Sequence, residues 1–411
     1  MIIFQKMTCN FYVKNRNRYC KLKPVSNSNF CIEHLHLDPG KIEDADRVPC
    51  PLDSSHYVSR SKLSSHLKKC NALNRKNTKL EFEPDLTEYS FKSLEEISDE
   101  SFENYIAKTN QFYMDYVKST LDVEHSFAPN QFIQDQMSDI RCSNINVSSK
   151  LESKKSKISI DKDSKRGRHI FQSGCLINVM EKNEILKSTA DYLEFGAGKG
   201  ILSHWISAVL LDNEKELSNS FILIEMSKLR HKFDSRKNDS VNFVRHMMNI
   251  AKLNIKNISH DLKKDEIIFC AKHLCGSATD YALQSIKTSC SKIVGLIIAT
   301  CCHHQCTWNS YCGKSYFEAL GYDQNFFLFL VKISSWATCG KHEDKTLSDS
   351  CIITSDEKYE IGRKAKRILD WGRIEYLKQN LGFENSRQIK FIEASVTPEN
   401  FCLLMKGKDL K

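Results

Sequence analysis

Short apolar runs alternate with helical stretches through the second half of the chain. "DYLEF" (191–195), "FILIE" (221–225), "VNFVR" (241–245), "IIFCA" (267–271) and "IVGLIIAT" (293–300) are compact, rich in β-branched and aromatic residues, and read as buried strands. "KFIEAS" (390–395) and "FCLLMK" (401–406) come late and lie a short turn apart, which predicts a terminal antiparallel pair. The alternation predicts a doubly wound α/β sheet that takes its ligand at the carboxyl ends of the strands. Upstream, "SLEEISDESFENYIAKTNQFYMDYVKSTL" repeats apolar Leu94, Ile97, Phe102, Tyr105 and Ile106 near helical spacing, with Ser98 placed to cap a start. A helical connector is therefore expected over 76–140. The stretch 141–168 is rich in Ser and Lys and too poor in large apolar groups to order itself, so a basic flexible linker is expected there. The large domain is expected over 169–411.

Composition is that of a globular protein: 411 residues, 41% hydrophobic and 27% charged. No apolar run approaches the roughly 18 residues of a membrane span, and the start "MIIFQKMTCN" does not read as an export signal. The expectation is an intracellular protein, nuclear or cytoplasmic, whose 17 cysteines stay reduced and serve as metal ligands, core residues or reactive groups. Charge is uneven. Of the net +9, residues 1–70 carry +6 and residues 141–168 another +6, so the rest is slightly acidic. Two basic zones on a near-neutral body point to a polyanion such as RNA, and nothing calls for an obligatory protein partner.

The first 70 residues hold five Cys and four His. Cys9, Cys20, Cys31 and His34 make C-x10-C-x10-C-x2-H, and Cys50, His56, His66 and Cys70 make C-x5-H-x9-H-x3-C. Each set supplies the four N/S ligands of structural zinc, in segments (1–40 and 46–75) too small to fold on a core alone. "HLKKC" puts His66 and Cys70 on one helical face. His36 competes with His34 for the first set. The second pattern resembles the CHHC finger of a minor-spliceosome RNA-binding protein and of some tRNA-modifying enzymes.

"DYLEFGAGKG" runs from a strand into a glycine turn ahead of the helix "ILSHWISAVLL". Glu194, Gly196, Gly198 and Gly200 fit E-x-G-x-G-x-G, with glycines where the backbone must turn sharply and approach a ligand. A dinucleotide fingerprint would place Gly at 201, which is Ile201; that difference and the acidic Glu194 favour S-adenosylmethionine over NAD. Glu225 closes the next strand, where a carboxylate can accept both ribose hydroxyls, and Asn249 follows the third, where adenine is expected.

These motifs, with "RHKFD" (230–234), "KHLCGSATD" (272–280), "CCHHQCTW" (301–308), "SSWATCG" (334–340), "GRKAKRILDWGR" (362–373) and "TPENFCLLMKG" (397–407), resemble the eukaryotic tRNA 2′-O-methyltransferase family that modifies the fourth nucleotide of the acceptor stem, the tRNA:m(4)X modification enzymes. The resemblance spans nearly the whole chain outside about 80–168. It implies a Rossmann-like class I methyltransferase domain preceded by two small zinc fingers, S-adenosylmethionine and two zinc ions as cofactors, and tRNA as substrate. Asn249 departs from the Asp the family tends to carry, which is expected to weaken donor binding. A protein that only binds RNA, or a base methyltransferase on another RNA, are the competing readings, and the glycine motif with Glu225 argues against the first.

A ribose 2′-OH is a weak nucleophile at neutral pH, so a neighbouring base or cation would help. Lys272 and His273 end the fourth predicted strand, and His303 and His304 follow the fifth, which makes all four catalytic candidates. Arg363, Lys364, Lys366 and Arg367 crowd one or two helical turns, where phosphate binding and plain surface charge explain the pattern equally well. In "CCHHQC" neighbouring residues alternate in direction on an extended chain, so adjacent Cys301 and Cys302 are not expected to share a metal. The stretch reads as a turn packed beside the donor, with one histidine toward the ribose and the other bonded to a neighbouring loop. Cys275 with Cys306 is the pairing that would make it a metal site instead.

Overall fold

The computed structural model describes residues 8–13, 18–25, 28–31, 34–37, 47–68, 70, 88–123, 127–139, 165–214, 216–229, 232–234, 240–338 and 353–407. Two compact units emerge, 1–84 and 85–411. The first holds two small hairpins, β1 (Tyr12–Val13) with β2 (Arg18–Tyr19), and β3 (Arg47–Cys50) with β4 (Asp53–Ser59), the latter followed by the short helix Leu63–Leu67. Their buried apolar side chains are almost all cysteines, so neither has a core of its own.

The second unit is built on one eight-stranded sheet. Its strands are β5 (Leu121–Val123), β6 (Asp191–Phe195), β7 (Ser220–Ile224), β8 (Asn242–His246), β9 (Glu266–Cys275), β10 (Lys292–Cys301), β11 (Arg387–Lys390) and β12 (Phe401–Lys406), in the order β5-β11-β12-β10-β9-β6-β7-β8. β8, β7, β6, β9 and β10 run parallel, and β12 inserts antiparallel between β10 and β11. Strand order reverses between β6 and β9, the place where sheets of this kind take a ligand in a crevice at the carboxyl ends.

Strand alternation assigns the two faces. Tyr192, Phe221, Leu223, Ile268 and Cys270 pack on one side with Leu176 and Ile206 from helices Lys165–Lys182 and Ile201–Asn213. Leu193, Phe195, Ile222, Ile224 and Phe269 pack on the other with Leu283 and Leu377 from helices Ser277–Ile286 and Ser355–Leu381. The long helix starts on a Thr354/Glu357 capping box and stops at left-handed Gly382.

Three sequence expectations change. Of the segment expected as a helical connector over 76–140, the described residues 88–123 and 127–139 are part of the sheet-bearing unit: helix Asp99–Phe112, capped by Ser98 as expected, buries Phe102 and Phe112 against Phe326, Phe329 and Trp371, and β5 pairs in parallel with β11. Aromatic side chains on one helical stripe read the same whether they face a neighbour's core or their own. The late strand sits at 387–390, because Phe391 and Ile392 are buried in the turn after it. Helix Lys165–Lys182 begins inside the segment expected as linker, while 140–164 lies outside the described residues. Among the described residues no helix is long and apolar enough to cross a membrane.

Candidate active site and metal centres

In the first unit the ligand atoms of Cys9, Cys20, Cys31 and His34 lie within 4.8 Å of one another. His34 Nδ1 sits 3.4 Å from Cys9 Sγ and 3.3 Å from Cys31 Sγ, so His34 completes this set. Cys50, His66 and Cys70 gather likewise, with Sγ atoms 3.7 Å apart and His66 Nε2 3.3 Å from Cys50 Sγ. The side chain of His56, the fourth expected ligand, lies outside the described residues. A tetrahedral ion with bonds of about 2.0–2.3 Å needs ligand atoms roughly 3.3–3.8 Å apart, so both donor sets fit zinc. Cys50→Ala or His66→Ala is expected to lower bound zinc by one equivalent and unfold that finger, leaving donor affinity unchanged. Plasma mass spectrometry beside donor calorimetry checks it, and undiminished zinc would remove these ligands.

At the crevice β6 feeds a turn in which Gly196, Gly198 and Gly200 all have positive φ (57°, 53° and 74°). Only glycine adopts three such positions cheaply. A Cβ on Gly200 would meet Leu223 Cδ2 at 2.8 Å, whereas one on Gly198 would meet nothing nearer than Gly196 O at 4.0 Å. Gly200 is thus packed, and Gly198 faces open space. Glu225, just past β7, accepts from Gly198 N (2.9 Å) and Ser227 N (2.7 Å). Glu194 points back beneath the turn and accepts from Ser203 N (3.1 Å) and Ser203 Oγ (2.6 Å). Burial pushes its carboxyl up to about 7, with the Ser203 bonds opposing. Arg245 from β8 braces the turn, donating to Gly198 O (2.9 Å) while it pairs with Asp234 (2.6 Å). Asn249 caps a short helical turn after β8, where its Oδ1 accepts from Ala251 N (3.0 Å) and its Nδ2 is buried without a partner. An open glycine cradle, a carboxylate beside it and an orphaned amide donor after the third parallel strand are groups that S-adenosylmethionine would fill.

The ends of β9 and β10 close the other side. Lys272 is buried, and its Nζ donates to His169 O (3.0 Å). Burial pushes that ammonium down to about 8, with Glu194 opposing. His273 is exposed, edge to face with His169 at 5.9 Å. Crowding around the ring, and then the Lys272 charge, hold His273 below the usual histidine range although the side chain reaches solvent. The two strand-end loops are stitched through Gly276, whose N donates to Cys301 O (3.0 Å).

A family model described as Methyltransferase TRM13 matches residues 171–406. The chain belongs to that family. Its fingers match too: the CCCH zinc finger in TRM13 protein over 7–35 and the U11-48K-like CHHC zinc finger over 47–71. TRM13 relatives run nearly end to end with it. The tRNA:m(4)X modification enzyme TRM13 of Vanderwaltozyma polyspora is 32% identical over 98% of this chain and 98% of its own, and the Homo sapiens homolog 28% identical over 96% and 93%. Among solved structures, the plantazolicin methyltransferase BpumL aligns over 75% of this chain and 98% of its own, at 12% identity and a TM-score of 0.29.

Within this member of the family, not every expected residue faces the strand ends beside the glycine turn. His303 is fully buried, 3.0 Å from Asp370, and burial lowers its pKa, with Asp370 opposing; it cannot reach a ribose. Lys366 and Arg367 are buried as well, pairing with Glu399 (3.1 Å) and Asp370 (2.9 Å), so neither is a surface phosphate ligand. Nearby, half-buried Arg363 pairs with Glu360, and Lys364 donates to Asn110 (2.7 Å). Cys306 does not approach Cys275 but takes a bond from Arg373 Nη2 (3.1 Å). Three residues that sequence reasoning passed over bind this region together: Asp370, Arg373 and Glu399. A lone charge in an apolar helical pattern is the signal that could have found the first two.

Proposed function

We propose that this chain transfers a methyl group from S-adenosylmethionine to the ribose 2′-OH at position 4 of the tRNA acceptor stem. The observation that carries this reading is the end-to-end likeness to relatives named tRNA:m(4)X modification enzymes, in a chain whose glycine turn and Glu225 form a donor cradle. Bound S-adenosylmethionine supplies an electrophilic methyl on a positively charged sulfur. Gly196 and Gly198 let the backbone lie against the donor, and Glu225 turns its carboxylate from Gly198 N toward the ribose hydroxyls. Asn249 Nδ2 donates to an adenine ring nitrogen. His273 stays neutral at pH 7, and as an exposed imidazole at the end of β9 it accepts the 2′-OH proton. Buried Lys272 acts as a positioning residue behind it. His304 is exposed on the turn after β10 and lies toward the acceptor strand. Positioning supplies much of the acceleration in such in-line transfers. The fingers, the basic linker and Arg363 with Lys364 bind tRNA phosphates, and the thiol centres suit a reducing intracellular location.

Incubation with labelled donor and total tRNA, followed by mapping, tests this reading. The label is expected at one acceptor-stem nucleotide, in a bond resistant to alkaline cleavage; an alkali-labile site carrying a methylated base would overturn the ribose assignment. His273→Ala is expected to lower kcat by about 100-fold, the range for losing one acid–base group. In the wild type the acid limb of kcat should lie below pH 6, because the neutral imidazole is the active form and its pKa is lowered. A His273→Ala enzyme with wild-type kcat and the same acid limb would exclude this role.

A further inference from the structure

On an extended strand the adjacent side chains of "CCHHQC" would point apart, which disfavours a shared metal. The backbone removes that objection. Cys302 has φ 52° and ψ 42°, one of two non-glycine residues with positive φ among the described residues. That left-handed conformation strains a residue with a β-carbon and persists only where the surroundings enforce it. It turns the Cys302 side chain back toward that of Cys301. Cys301 in turn stands opposite Cys275 in the parallel register of β10 and β9, with the two Sγ atoms 3.4 Å apart. All three sulfurs lie within 4.8 Å of one another.

We infer that Cys275, Cys301 and Cys302 form a third metal site in this chain, taking zinc through three thiolates. The separations support it. In the two fingers the thiol and imidazole ligand atoms lie 3.3–4.0 Å apart, and the 3.4 Å of Cys275 and Cys301 falls inside that spread. Soft sulfur donors select zinc over the hard cations that prefer oxygen. A disulfide explains less: it would join two of the three sulfurs and leave the left-handed turn at Cys302 without a purpose. Cys301 is buried, Cys302 half-buried and Cys275 exposed, so the trio opens to solvent on one side. Three protein ligands with an open fourth position is the arrangement that accepts water or a substrate oxygen. The site adjoins the donor turn, since Leu274 Cδ1, one residue before Cys275, lies 3.2 Å from where a Cβ on Gly196 would stand. This inference stands whatever nucleotide the enzyme methylates, because its readout is metal content.

The test uses the full chain purified under reducing conditions without chelator. Plasma mass spectrometry is expected to find three zinc per chain. Cys302→Gly should bind two and still melt in one cooperative step, because glycine accepts the left-handed backbone without strain. Cys275→Ser, at an exposed position, should also bind two. His66→Ala removes a different equivalent, so His66→Ala/Cys302→Gly should bind one. Two zinc in the wild type, unchanged by Cys302→Gly, would overturn the site. So would an intact mass showing two hydrogens lost and a peptide map joining Cys275 to Cys301, which would mark an oxidisable pair. Three zinc retained by both Cys302→Gly and Cys275→Ser would place the third ion elsewhere.

Discussion

Gly198→Asp is expected to abolish donor binding while the chain keeps its fold. The two consequences separate because of where Gly198 points. A β-carbon there meets no protein atom closer than 4.0 Å, so the side chain grows into the cradle and not into the core. Its φ of 53° lies in the left-handed region, which Asp tolerates better than most residues. The new carboxylate occupies the space meant for the donor and stands close to Glu225, whose Oε2 takes the Gly198 N–H at 2.9 Å. Filling the cradle and crowding the ribose acceptor should cost more than about 3 kcal/mol of donor affinity, or over 100-fold. Calorimetry with S-adenosylmethionine, paired with a thermal melt, checks both halves. Gly200→Asp is the contrast: its Cβ would strike Leu223 at 2.8 Å, so that variant should lose stability as well. Undiminished donor affinity in Gly198→Asp would move the donor site away from this turn.

Asp370→Ala is expected to destabilise the methyltransferase unit by about 3–5 kcal/mol, the cost of stripping the partner from buried charges. Asp370 sits on the long helix with no exposed surface. Its carboxylate accepts from Arg373 Nη1 (2.9 Å) and Thr300 Oγ1 (2.8 Å), pairs with Arg367 Nη2 (2.9 Å) and touches His303 Nε2 (3.0 Å). Arg373 would keep Asp280 (2.7 Å), but Arg367 would keep only the Glu399 charge and the Phe401 ring, 4.1 Å away. Burial opposes ionisation of Asp370, yet His303, Arg367 and Arg373 outweigh it and hold the carboxyl well below the usual range. A depressed carboxylate contributes fully above its unfolded pKa near 4 and is lost only as pH falls through the folded value. The contribution should therefore be undiminished from pH 7 down to about pH 5 in the wild type and missing throughout that window in Asp370→Ala. Denaturant melts at both pH values measure it, and a loss under about 1 kcal/mol would show that the network carries no net stability.

The same network explains why part of the site was legible in the sequence and part was not. Local rules sufficed for the glycine turn. Strand, positive-φ glycines and helix are consecutive in the chain, and Glu225 needs only to end the next parallel strand. They sufficed for the seven finger ligands that the described residues bring together, because zinc demands soft donors in small coreless segments and leaves little else to build on. The five parallel strands and the last antiparallel strand followed from apolar runs of strand length, whereas its partner lies upstream of the run expected, at 387–390.

Tertiary structure decided what depends on which groups meet. "GRKAKR" reads as a surface charge cluster, yet Lys366 and Arg367 turn inward because Glu399 and Asp370, three to thirty-three residues away in the chain, wait there. His303 and His304 are chemically identical in the sequence, and only the turn after β10 buries one and exposes the other. Cys301 and Cys302 should point apart on an extended strand; a single left-handed residue, together with the register that sets Cys275 opposite Cys301, brings three thiols to one place. Periodicity and spacing report along the chain. Partners that lie across a sheet register or a helix packing face carry no such local signal, because the free energy that selects them is that of burial and pairing in the folded state.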